Sequence, residues 1–113
     1  MKKYSKLIRT TLGEYLAKPC YKGAGIYVIA CYPSLGCLYV GISDGDVHRR
    51  LREHLSTYEP LSQFLRLCMA DACGFRLDVL CPPADSTREW LLASEKRLVQ
   101  CLRPAYNEQN LGQ

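Results

Sequence analysis

The sequence predicts an α/β (α+β) domain in which a β-hairpin and one later strand are set among helices. Three observations carry this. Residues 25–31 and 37–42 are dense in β-branched and aromatic residues and are separated by the turn-forming Tyr32-Pro33-Ser34-Leu35-Gly36. Residues 75–81 alternate in side-chain character, as a strand does. The segments 4–17, 47–58, 60–73 and 87–102 instead repeat apolar residues at helical spacing.

A length of 113 residues suits one domain, and 48% hydrophobic with 23% charged residues excludes a disordered tail. No run approaches the roughly 18 apolar residues of a membrane-spanning helix. Arg9, Thr10, Thr11, Gly13 and Glu14 interrupt any apolar stretch after Met1-Lys2-Lys3, so no signal peptide is expected. The seven cysteines are odd in number and lack C-x-x-C spacing, which argues against a disulfide scaffold or a zinc finger. They fit a reducing, cytoplasmic setting and read as core filler.

The first segment, 4–17, reads as an amphipathic helix with Tyr4, Leu7, Ile8, Thr11, Leu12, Tyr15 and Leu16 on one face. Lys2, Lys6 and Arg9 fall on the other. Residues 1–22 hold six bases and one acid, whereas bases and acids nearly balance over the rest of the chain. That face is either solvated or a contact for nucleic-acid phosphates.

In the hairpin, pairing Cys31 with Cys37 sets Tyr27 opposite Gly41 and Tyr39 diagonal to Tyr27 on the same face. A one-residue slip would separate the two tyrosines. Ser43-Asp44-Gly45-Asp46 supplies turn and N-cap chemistry for the helix over 47–58, which turns Val47, Leu51, Leu55 and Tyr58 inward. The next helix carries the stripe Leu61, Phe64, Leu65, Cys68 and Ala72 and ends at Gly74. Along 75–81, Phe75, Leu77, Val79 and Cys81 face one way and Arg76, Asp78 and Leu80 the other, a half-exposed strand. The last helix stops before Pro104.

That helix contains one break in pattern. Its stripe is Leu91, Leu98 and Leu102, and the position that completes the line is Glu95. Burying an unpaired carboxylate costs several kcal/mol. Glu95 therefore needs a base, a metal or a cleft, and a salt bridge to an arginine such as Arg50 would serve equally. Arg50 and His54 stand at i and i+4 on one edge of their helix. Two tyrosines, an arginine, a histidine and an inward carboxylate are the parts of a phosphodiester hydrolysis site: a phosphate-binding cation, a proton acceptor and a metal ligand.

At these residues the sequence resembles the GIY-YIG endonuclease superfamily. Gly25-Ile26-Tyr27 matches the first name-giving triplet, and Tyr39-Val40-Gly41 matches the second with valine for isoleucine. Arg50-Leu51-Arg52-Glu53-His54 resembles the family's arginine-x-x-x-histidine helix. Arg49 competes for the arginine role, and Arg50 is preferred because it keeps its face with His54. Glu95 matches the helical metal-binding glutamate, and Pro104-Ala105-Tyr106-Asn107 resembles the family's proline-x-tyrosine-asparagine ending.

The resemblance covers about 25–107 and implies a three-stranded antiparallel sheet flanked by helices. Residues 1–24 would then be an extra N-terminal basic helix packed on a nuclease-like domain at 25–113. It implies a metal-dependent endonuclease hydrolysing DNA phosphodiester bonds, with little intrinsic sequence specificity because no recognition domain accompanies it. Tyr27, Tyr39, Arg50, His54 and Glu95 would be catalytic, with Tyr27 or His54 accepting a proton and Glu95 holding one Mg²⁺ or Mn²⁺. Gly41, Ser43, Arg49 and Asn107 would bind substrate, together with Lys2, Lys6 and Arg9. The expected partner is double-stranded or branched DNA, with a protein partner supplying specificity and no membrane association. The protein would act as a monomer or homodimer. A nuclease acting on RNA and a non-catalytic binder of the same fold are the alternatives.

Overall fold

A computed structural model describes residues 4–31, 36–54, 56, 60, 61, 63 and 74–107. In chain order the elements are β1 (Lys6–Thr11), α1 (Leu12–Ala17), β2 (Gly25–Cys31), β3 (Gly36–Ser43), α2 (Val47–His54), β4 (Arg76–Cys81) and α3 (Arg88–Leu102). The strands form one antiparallel sheet in the order β1-β4-β2-β3. The class is α+β, as expected, but the sheet has four strands rather than three.

The extra strand comes from the segment read as a basic helix. Residues Lys6–Thr11 pair with β4, and only Leu12–Ala17 is helical. Ile8, Thr10 and Thr11 are β-branched, and a helix here would leave the outer edge of β4 unpaired. The switch to helix falls at Thr11, whose hydroxyl accepts from the Glu14 N–H at 3.2 Å and donates to the Glu14 carboxylate at 3.1 Å. Residues 6–17 are thus built into the sheet, not packed on it as a separate unit. The face expected to join Lys6 to Arg9 does not form, because the two residues point to opposite sides of a strand. Lys2 lies outside the described residues.

With β1 outside it, β4 is an interior strand rather than a half-exposed one. Asp78 is buried there, held by Arg9 through Nε–Oδ1 at 3.0 Å and Nη2–Oδ2 at 3.2 Å, and by Arg76 at 3.0 Å. The sequence puts a charge on this face, and the fold supplies two arginines to neutralise it.

Helices cover both faces of the sheet. Tyr27, Ile29, Tyr39, Leu77 and Val79 pack with α1 and α2 through Leu12, Tyr15, Val47 and Leu51. Ile26, Val28 and Val40 pack on the other face against Leu91 and Val99 of α3. Each such fully buried side chain contributes about 1.5–3 kcal/mol. Leu61 joins the first cluster. Leu55, Tyr58 and most of the helix expected after Pro60, including Phe64, Leu65, Cys68 and Ala72, lie outside the described residues.

The hairpin keeps the expected register through Tyr27↔Gly41 and Ile29↔Tyr39, then shifts at a bulge between Ile29 and Ala30. Cys37 consequently faces Ala30 and Cys31 faces Gly36, so the expected Cys31–Cys37 pairing is not made. Cys37 and Cys81 do fill the core, and burial pushes the Cys37 thiol up to about 11. Cys20 and Cys101 are exposed instead. Among the described residues no helix is long and apolar enough to cross a membrane.

The outer edge of β3 is covered by the chain that follows α3. Ala105 and Tyr106 donate their N–H groups to the carbonyls of Cys37 and Leu38. Asn107 continues the row with its side chain, accepting from the Val40 N–H and donating to the Val40 carbonyl, both at 2.8 Å. One amide side chain thereby replaces a whole residue of a neighbouring strand.

Candidate active site

Strands β2 and β3, the turn after β3 and the helices α2 and α3 surround an open cavity of about 390 Å³. Tyr27 and Tyr39 come from the sheet, Ser43 and Asp46 from the turn after β3, Arg49 and Arg50 from α2, and Glu95 from α3.

Tyr27 is fully buried, and its phenol lies across β3 where Gly41 has no side chain. A Cβ on Gly41 would sit 2.5 Å from the phenol Cζ, so glycine is required by the tyrosine. Gly41 shapes the site from behind and does not line the cavity, which corrects its expected role as a substrate contact. The Tyr27 and Tyr39 rings are 6.1 Å apart, on one face as the register predicts.

His54 stands behind the tyrosines, 1% exposed, with Nε2 at 2.7 Å from the Tyr27 hydroxyl. Its ring packs edge-on against Tyr39 at 5.0 Å. Burial first, and the positive charge of Arg50 second, pull its imidazole down to about 4. Burial likewise raises the Tyr27 phenol far above its ordinary value, and Arg50 opposes that rise. Both groups are therefore neutral near pH 7, so the tyrosine hydroxyl donates and the histidine accepts.

Asp46 caps α2 by accepting from the Arg49 N–H at 3.0 Å, and Ser43 Oγ accepts from the Gly45 and Asp46 N–H groups. This turn delivers both arginines to the cavity. Arg50 ion-pairs with Glu53 at 3.3 Å, and Arg49 reaches the same carboxylate at 3.8 Å. Arg50 lies close enough to Tyr27 and His54 to shift both, whereas Arg49 is 79% exposed at the rim.

Glu95 is half-buried at the edge of the α3 stripe, beside the buried Leu91, Ser94 and Val99. Among the described residues it makes no ion pair or hydrogen bond, so the alternative of a salt bridge to Arg50 is not realised. Burial raises its carboxyl pKa, and the charge of Arg88 opposes the shift. An under-neutralised carboxylate in an open cavity fits a Mg²⁺ ion that draws its other ligands from water and phosphate. No cluster of three or more His, Cys, Asp or Glu able to hold a metal occurs among the described residues, so a closed cage is not built here.

Three expected substrate contacts lie elsewhere. Asn107 is buried at the β3 edge, with both ends of its amide on Val40. Lys6 and Arg9 are on β1, the far edge of the sheet, about 14 Å from β3 at ~4.8 Å per strand. Arg9 is occupied by Asp78.

Arg88, which sequence reasoning missed, does line the cavity. Its signal was available, because it stands seven residues before Glu95 on the same helix face, in a first turn where the macrodipole disfavours a cation.

Comparison of the chain with family models, with curated proteins and with solved structures returned no match.

Proposed function

We propose that the protein is a metal-dependent endonuclease that hydrolyses DNA phosphodiester bonds with little sequence preference of its own. One observation carries the reading. Four residues separated by up to 68 positions in sequence, Tyr27, Tyr39, Arg50 and Glu95, line one cavity, and His54 behind them shares a hydrogen bond with the Tyr27 hydroxyl.

In this reading Arg50 binds the scissile phosphate and stabilises the charge that builds on it, a role suited to a guanidinium near the cavity floor. The attacking water gives its proton to the Tyr27 oxygen as Tyr27 passes its own proton to His54 Nε2. The new P–O bond forms as the bond to the leaving 3′-oxygen breaks. The transfer is uphill in the DNA-free protein, because burial opposes both a phenolate and an imidazolium. It becomes accessible when the phosphate brings negative charge close to His54 and positive charge gathers beside Tyr27. Glu95 would hold a divalent cation, which when bound supplies neutralisation of the leaving oxygen. Tyr39 closes the other side of the Tyr27–His54 pair and orients the water.

Supercoiled plasmid is the direct substrate. Nicking is expected with Mg²⁺, none in EDTA, and a loss of two or more orders of magnitude in Tyr27→Phe. Wild-type protein that binds but never nicks DNA would reduce the site to a binding surface.

A further inference from the structure

Besides Arg50, the cavity is lined by Arg49 at its rim and by Arg88, which the proposed chemistry does not use. Resting on the nuclease reading, we propose that Arg88 is a second phosphate-binding residue, which takes a backbone phosphate next to the scissile one and exchanges Asp44 for it.

Arg88 is the first residue of α3, and Glu95 lies two turns further along the same face. Their Cα atoms stand about 10 Å apart along the helix axis. The two side chains therefore enter the cavity from different turns of the helix, near enough for the Arg88 charge to act on Glu95.

Helix stability does not explain an arginine here. The first turn is already capped by Thr87, whose hydroxyl accepts from the Trp90 N–H, and Glu89 supplies the acid the dipole favours. A cation at the first position works against that dipole.

The partner of Arg88 is equally unexplained by local structure. Asp44 pairs with its Nη1, yet the turn that carries Asp44 is held by Ser43 and Asp46. Both members of the pair are more than half exposed, at 59% and 58%, so water screens the contact and another anion can displace it. The arginines of the cavity are thus matched with carboxylates, Arg49 and Arg50 with Glu53 and Arg88 with Asp44. A phosphate that replaces Asp44 keeps the guanidinium neutralised and gains the planar, two-pronged geometry that arginine offers phosphate.

The test is the salt dependence of binding by the full chain to a fluorescent duplex, with Ca²⁺ in place of Mg²⁺ to hold cleavage back. Arg88→Ala is expected to reduce the slope of log K against log salt by about 0.9, one phosphate contact. Asp44→Asn is expected to tighten binding in the wild-type background and to do nothing when added to Arg88→Ala. Urea midpoints of both variants should match wild type, since the pair is screened. An unchanged slope in Arg88→Ala overturns the proposal, as does a gain from Asp44→Asn that survives without Arg88. Arg50→Ala separates the levels. If Arg50→Ala lowers the slope and Arg88→Ala does not, only the second phosphate site fails. If wild-type protein does not bind the duplex, the nuclease reading fails and takes this proposal with it.

Discussion

The Tyr27 hydroxyl and the His54 imidazole share one hydrogen bond, Oη to Nε2 at 2.7 Å, between side chains that are 0% and 1% exposed. A buried histidine held neutral in this way makes stability depend on pH. The unfolded chain protonates His54 near its ordinary value of about 6.5, while the native protein resists protonation down to about 4. Between those values the unfolded state binds more protons. The stabilising contribution is therefore complete above pH 6.5 and is lost as pH falls through the window. By pH 4.5 the loss amounts to about 2–3 kcal/mol. Urea denaturation at pH 7.5 and 4.5 checks this, and His54→Gln should show a correspondingly smaller difference. An equal loss in both proteins would place the titration on another group.

Arg50 and Arg49 are adjacent in sequence and unequal in position, one beside Tyr27 and the other at the rim. Arg50→Ala should lower nicking by roughly 10²–10³, the effect of removing one preorganised charge donor. Arg49→Ala should act mainly on binding and its salt dependence. A silent Arg50→Ala beside an inactive Arg49→Ala would reverse the assignment.

Glu95 carries a charge that the fold only partly accommodates, since burial raises its pKa and no ion pair among the described residues holds it. Glu95→Gln keeps the shape and removes that charge. In EDTA its melting temperature should equal or exceed that of wild type, while Mg²⁺-dependent nicking is lost and DNA binding persists. A fall of more than 10 °C, the mark of several kcal/mol lost, would mean that the carboxylate supports the fold instead.

Asn107 separates structure from substrate contact. Asn107→Ala removes two hydrogen bonds and leaves the Val40 N–H and carbonyl buried without partners. The expected cost is about 2–4 kcal/mol, with DNA affinity of the folded protein unchanged. Thermal melts and a binding titration below the melting point report the two quantities separately. A stable variant with weakened DNA binding would restore Asn107 to the substrate.

What could be read from the sequence alone is what local pattern determines. Strand periodicity locates the hairpin, and a register that pairs Cys31 with Cys37 would set Tyr27 opposite Gly41 and on one face with Tyr39; the bulge after Ile29 breaks the cysteine pairing and leaves the tyrosine register in place. The 3.6 period locates α3 and sets Glu95 on the line of Leu91, Leu98 and Leu102, where a carboxylate is out of place; in the fold the buried residues of α3 are Leu91, Ser94 and Val99, and Glu95 lies half-buried beside them. Tertiary structure decided the rest. Lys6–Thr11 satisfies a helical pattern as well as a strand, and it becomes β1 because β4 offers it a hydrogen-bonding edge and Asp78 meets Arg9 across 69 residues. Asn107 takes its role from Val40, and Arg88, which shares a helix face with Glu95, finds its partner Asp44 only where the turn after β3 meets α3. Local periodicity encodes which face of an element is apolar. It carries no information on which distant backbone edge or charge that element will meet, and those encounters settle both the fourth strand and the membership of the site.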